Sequence, residues 1–293
     1  MTGICFWRAL SAAFFLLVLA PPQPQRVVPA VVTLTPAVVL AGSPELIRVV
    51  APNADSVDGE WLGRKFQFFR GRTGWFALVG TDVEAPIGPS TLHITARRAG
   101  QTIDLSRPVT IHAGHYRTEK LSVAPRFVEP GPEDQKQIVA DRELKKSAFA
   151  SSAPEPLWLG SFQAPVNAEP SDSFGVRRTF NGKLASIHMG ADFRAHMGTP
   201  VRAAGSGVVV LARPMYYEGN CVIIDHGMGL FTVSMHFSRI DVKEGQRVNT
   251  GDQLGLSGST GRVTGPHLHF AVRWQGANLD PLKLIRLDLN GLR

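Results

Sequence analysis

The chain has 293 residues, enough for two domains that each bury a core. Its composition, 44% hydrophobic and 19% charged, is typical of globular protein and argues against a largely disordered chain. A formal net charge of +7 favours an anionic partner, but the sequence carries no Arg- and aromatic-rich stripe or nucleic-acid motif, which argues against nucleic acid.

Residues 1–20 read as a secretory signal peptide. Arg8 precedes an apolar run from Ala9 to Ala20, shorter than the roughly 20 apolar residues that span a bilayer. Pro21 and Pro22 are poor residues after a cleavage point, so an uncleaved anchor stays open. No second hydrophobic run follows, and no stable membrane span is expected after signal removal. Cys5 lies within the signal, leaving Cys221 without a partner and best read as a small buried apolar residue.

From 30 to 115, short β-type runs such as LIRVV (46–50), WFALVG (75–80) and STLHITARR (90–98) alternate with turn residues. That spacing predicts an antiparallel β-sandwich. Residues 116–156 form a linker with a helix at about 132–149: Pro132, Glu133 and Asp134 suit its start, Lys145 and Lys146 its end. Ala140, Leu144 and Ala148 would share the packed face, with Asp141 and Lys145 paired on the surface. From 157 to 293 the chain returns to strands with Gly-built corners, so the fold class is all-β.

Two motifs in this last part carry chemistry. HMGADF (188–193) contains His-x-x-x-Asp, and PHLHF (266–270) contains His-x-His. On a strand, alternate residues share a face, so His267 and His269 point together, roughly 7 Å apart at a rise of about 3.3 Å per residue. One can bind a metal while the other meets water. His188 and Asp192 complete a set, and the strand GLFTVSMHF adds a fourth imidazole, His236. Three protein ligands with an open fourth position make a catalytic zinc site. Either motif alone is more often a turn or a plain strand.

Their order and surroundings go further. Residues 157–285 resemble the lysostaphin/LytM-type zinc metallopeptidases, peptidoglycan endopeptidases, through SFGVRR (173–178), HMGADF, GTPVRAAGSGVVVLA (198–212), the run from Val222 to Gly261, and GPHLHFAVR (265–273). The resemblance implies zinc ligands His188, Asp192 and His269, with His267 as general base. His236 would position water or stabilise the transition state by donating to the developing oxyanion. It also implies peptidoglycan stem peptides as partners, an exported location in a periplasm or extracellular cell envelope, and contact with a regulatory envelope protein. Many relatives carry an aromatic residue where this chain has Ser234.

Residues 31–115 resemble the Ig-like domain that precedes this peptidase in some envelope proteins. Some relatives of the peptidase have lost ligands and act as non-catalytic regulators that activate a separate amidase; this chain keeps every ligand. Arg177 and Arg178 could meet a substrate carboxylate, and Arg177 is the candidate carried forward. IDVKEGQRVNTGDQLG (240–255) looks like a biotinyl or lipoyl carrier hairpin, but no Lys lies between Lys243 and Lys283 to be modified. His226, in IDHG, reads as a turn or cleft-rim residue, His196 as a surface or packing residue, and Trp158 and Trp274 as packing.

Overall fold

A computed structural model describes residues 31–150, 152–182 and 184–293. The expected signal at 1–20 lies outside them. Residues 31–112 form strands β1 (Val31–Thr35), β2 (Val39–Leu40), β3 (Pro44–Val50), β4 (Ser56–Trp61), β5 (Arg64–Gln67), β6 (Phe69–Gly71), β7 (Gly74–Gly80), β8 (Gly88–Arg98) and β9 (Gln101–His112). They build two sheets, ordered β1-β3-β7-β6 and β2-β9-β8-β4-β5. Strand β8 shows why: Leu92, Ile94 and Ala96 are buried while Thr91, His93 and Arg97 face solvent, the period of two that leaves one face of a sheet dry.

The connecting segment holds a strand as well as the expected helix. Strand β10 (Thr118–Leu121) is followed by α1 (Pro132–Ala150). The inward face of α1 differs from the expected one. Ala140 is exposed and Leu144 is 37% exposed, while Asp141 and Ala148 are buried. Polar partners decide this orientation. Asp141 accepts hydrogen bonds from the Tyr216 backbone N–H (2.6 Å) and from Gln137 (2.7 Å), and Lys145 pairs with Glu218. Asp141 and Lys145 therefore do not pair with each other on the surface.

The remaining elements are β11 (Pro170–Asp172), β12 (Arg177–Phe180), β13 (Leu184–Ile187), β14 (Gly190–Phe193), β15 (Pro200–Arg202), β16 (Gly207–Met215), β17 (Gly219–Asp225), β18 (Leu230–Ile240), β19 (Arg247–Val248), β20 (Gln253–Ser257), β21 (Leu268–Trp274), β22 (Ala277–Leu279) and α2 (Pro281–Arg286). The large sheet runs β11-β14-β21-β18-β17-β16-β19, with β15, β20 and β22 attached beside it. Strand β10 joins β12 in parallel and β13 completes a small three-stranded sheet. The molecule is thus an all-β fold with two α-helices and one short 3-10 turn at Pro125–Phe127 among its described residues.

One apolar core runs from the first two sheets into the large one. Phe66 meets Trp274 edge-on with ring centroids 5.7 Å apart, and Phe69 meets Trp158 at 5.5 Å. Both Trp residues pack in the core, as expected, and Cys221 is buried. His226 is not a cleft-rim residue. It is fully buried, its Nδ1–H donating to the Ser206 carbonyl (2.8 Å) and its Nε2 accepting from the Thr232 hydroxyl (2.8 Å).

Candidate active site

Strand pairing brings the two motifs together. In the register of β14 on β21, Asp192 stands opposite His269; in that of β18 on β21, Met235 stands opposite His269. Cross-strand partners share a face, so Asp192, His269 and Met235 line one row. Gly190 permits the close approach: a Cβ there would lie 2.6 Å from His269 Nε2 and 2.5 Å from the Phe270 carbonyl oxygen.

His188 Nε2, Asp192 Oδ1 and His269 Nδ1 then converge. His188 Nε2 is 3.1 Å from Asp192 Oδ1 and 2.9 Å from His269 Nδ1, which is itself 2.8 Å from Asp192 Oδ1. The tautomer of His188 follows from its other nitrogen, because the Ser173 carbonyl, 2.9 Å from Nδ1, can only accept. Nδ1 carries the proton and Nε2 presents a lone pair. At most one proton fits between the three converging atoms, and two imidazole nitrogens with one carboxylate oxygen are a donor set that suits zinc. The residues present therefore fit a metal ion, and these three are able to hold one.

Around them lies a supporting layer. Arg178 donates from Nη2 to Asp192 Oδ2 (2.7 Å) and also bonds Asp172, which takes Arg117 as a second partner at 2.5 Å. Burial alone would raise the Asp192 carboxyl, yet His188 and His269 beside it hold it well below the usual carboxylate range. Burial also opposes ionisation of Asp172, and its bonds from Arg117 and Arg178 outweigh that and lower it. Burial lowers His269, with Asp192 acting against it. Neutral imidazole is the form a metal needs.

His267 and His236 complete the cluster. The ring of His236 lies 4.9 Å from that of His267 and 6.1 Å from that of His269, and His267 Nε2 is 3.7 Å from Asp192 Oδ1. The position of His236 departs from strand alternation, since it follows Met235, which already faces the cleft row. The β17–β18 register shifts between Asn220 and Val222, and His236 adopts a left-handed φ of 66°. A bulge of this kind re-aims a side chain and stores local strain. The His267 Nδ1–H donates to the Gly265 carbonyl and the His236 Nδ1–H to the Thr260 carbonyl, both at 2.8 Å. Both rings therefore offer Nε2 as an acceptor. Burial pushes His236 down to about 3, with His269 and His267 acting in the same direction, so it is neutral at pH 7.

These groups open into a cleft of about 520 Å³. Its walls include Glu119 and Leu121 of β10, Phe180 of β12, and Tyr217 and Arg262 from loops. Of the predicted substrate contacts, Arg177 is exposed and does not line the cleft, whereas Arg178 does, because neighbours on a strand face opposite sides. His196, which lacks a motif of its own, also lines the cleft.

Residues 186–281 match the family model described as "Peptidase family M23". Over 114 residues the chain is 48% identical to the peptidoglycan DD-endopeptidase ShyA of Vibrio cholerae, covering 39% of this chain and 26% of that one. It is 41% identical to the DD-carboxypeptidase/endopeptidase Mpg of Neisseria meningitidis, again over 114 residues, with 39% and 26% covered. The match thus spans about a quarter of the length of these curated relatives. A Pseudomonas aeruginosa crystal structure assigned to peptidase M23 superposes with a TM-score of 0.64 at 28% identity, covering 84% of this chain and 94% of that one. Residues 186–281 of the chain thus carry a peptidase M23 domain.

Proposed function

We propose that the chain is a zinc-dependent endopeptidase that hydrolyses peptide crosslinks of bacterial peptidoglycan. The observation that carries this reading is the mutual approach of His188 Nε2, Asp192 Oδ1 and His269 Nδ1 to within 3.1 Å, in a cleft that holds two further acceptor imidazoles. The relatives named as peptidoglycan DD-endopeptidases support the substrate class. The donor set is intact, which speaks against the amidase-activating regulator.

Zinc bound by these three residues would polarise the scissile carbonyl and lower the pKa of water to about 7. His267, its Nδ1–H tied to Gly265, accepts the proton of the attacking water at Nε2 and returns it to the leaving amine. His236 Nε2 accepts the other hydrogen of that water and so orients it. This replaces the expectation that His236 donates to an oxyanion. Arg178 holds Asp192 in place, and the net charge of +7 favours an anionic wall polymer.

Export by the signal at 1–20, a location in the cell envelope and contact with a regulatory envelope protein belong to the same proposal, as does an Ig-like module at 30–115 that docks on the wall or on the peptidase cleft. Digestion of purified sacculi by zinc-loaded wild type and by His267→Ala tests it. Loss of crosslinked fragments with wild type alone supports the reading; no product from either protein contradicts it.

A further inference from the structure

The cleft holds a cation that the hydrolytic machinery leaves unused. Of the arginines lining it, Arg178 is committed to Asp172 and Asp192, and Arg194 is exposed. Arg262 differs from both. Its guanidinium carbon lies 4.6 Å from the centroid of Phe180 and 4.7 Å from that of Tyr217, so two rings flank the group. Among the described residues, no carboxylate lies within salt-bridge distance of it, and Glu218 on the same wall is taken by Lys145. Burial pulls the guanidinium below its ordinary pKa, with Tyr217 and Glu218 acting against that. A planar cation packed on its faces keeps its N–H donors at the edge, the geometry that accepts a carboxylate bidentately.

The backbone at Arg262 is held in place on the cleft wall. Its backbone N–H donates to the Tyr217 carbonyl at 2.8 Å. Gly261 before it has a φ of 77°, and a Cβ there would lie 2.3 Å from the backbone nitrogen of Gly219, so the loop lies directly on the β16–β17 turn. In sequence, Arg262 falls between Thr260 and Gly265, whose carbonyls orient His236 and His267. One loop thus sets both acceptor imidazoles and the uncommitted cation.

We propose that Arg262 anchors a substrate carboxylate next to the scissile bond, making the cleft selective for peptides with a free carboxylate there. The inference rests on the peptidase reading. A crosslink whose amine side is an α-amine of D configuration keeps that residue's own carboxylate on the carbon beside the scissile nitrogen. Such a group is available to a guanidinium in the same cleft as the attacked bond.

The test compares two synthetic crosslinked peptides that differ only in this position, one with the free carboxylate and one with a carboxamide. Binding to the zinc-loaded full chain carrying His267→Ala is measured by calorimetry, and hydrolysis by wild type is followed separately. The expected result is binding tighter by roughly tenfold or more for the carboxylate, as for a charge-assisted bond. Arg262→Gln brings the ratio near one and Arg262→Lys leaves part of it. Equal binding of both peptides by the parent, a preference kept by a folded Arg262→Gln chain, or no binding of either peptide overturns the anchor. A binding preference without hydrolysis supports the anchor and overturns the peptidase reading; hydrolysis of both peptides without preference does the reverse. Melting temperature and zinc content of the variants separate loss of recognition from loss of fold, a distinction the carboxylate-to-carboxamide ratio of the parent does not depend on.

Discussion

His236 Nδ1 lies 2.8 Å from the carbonyl oxygen of Thr260, and that contact decides what the ring can do. A carbonyl accepts, so Nδ1 holds the proton and Nε2 faces the cleft as a lone pair. An oxyanion donor at Nε2 would require an imidazolium, which burial beside two other histidines disfavours.

The first prediction follows from this. His236 has its pKa depressed to about 3, so it is neutral through the range in which an ordinary histidine titrates. A bound dication acts in the same direction. NMR of the zinc-loaded protein is expected to show no titration of His236 between pH 5 and 8. A midpoint near the ordinary value of about 6.5 would contradict the depressed pKa and the neutral ring that the water-orienting role needs.

Arg178 offers a second prediction. It donates to the Asp192 oxygen that faces away from the other two donors, so Arg178→Met leaves the carboxylate free to rotate. Outer partners of this kind are worth about 10- to 100-fold in metal affinity. Competition with a chelator is expected to show that loss, while Arg177→Met, on the exposed side of the same strand, leaves affinity unchanged.

Buried His226 sets a pH dependence of stability. Its pKa falls from 6.5 unfolded to about 4 folded through burial. Between those values the unfolded chain binds more protons, so stability present at pH 7 is lost as pH falls. This residue alone accounts for up to about 3 kcal/mol. Thermal melts at pH 7 and pH 5 are expected to differ, with the lower transition at pH 5, and His226→Asn is expected to narrow the gap. An unchanged gap would mean that other groups carry it.

Phe66 joins the N-terminal sheets to the large sheet through the edge-on contact with Trp274. Phe66→Ala is expected to cost about 3–5 kcal/mol, since a buried aromatic leaves a cavity that rigid strands fill poorly. Denaturant unfolding measures this directly; a cost below about 1 kcal/mol would mean that the contact between the two parts is loose.

Much of the site is legible in the sequence because strand geometry is simple. The alternation in PHLHF puts His267 and His269 on one side, and HMGADF reaches them through the pairing of β14 with β21. What stays hidden depends on departures from regularity. Nothing in GLFTVSMHF announces a bulge at His236, and without it a regular strand would have turned that ring away from the cleft. The choice between Arg177 and Arg178 depends on the phase of β12, which adjacent arginines do not reveal. In helix α1 the apolar residues Ala140, Leu144 and Ala148 suggest one packed face, whereas Asp141 and Lys145 turn inward to meet the hairpin at Tyr216 and Glu218. Helix α2 has a readable start in Asp280-Pro281, where the Asp280 side chain caps Leu282 and Lys283, but its six residues are too few to show a helical period within the surrounding β pattern.

The central claim is that His188, Asp192 and His269 form a zinc centre, and metal content after loading measures it most directly. Folded wild type, loaded with excess zinc and freed of loose ion, is predicted to retain about one zinc per chain, and His269→Ala close to none. Wild type holding less than about a tenth of an equivalent would contradict the account, whatever its effect on cell wall.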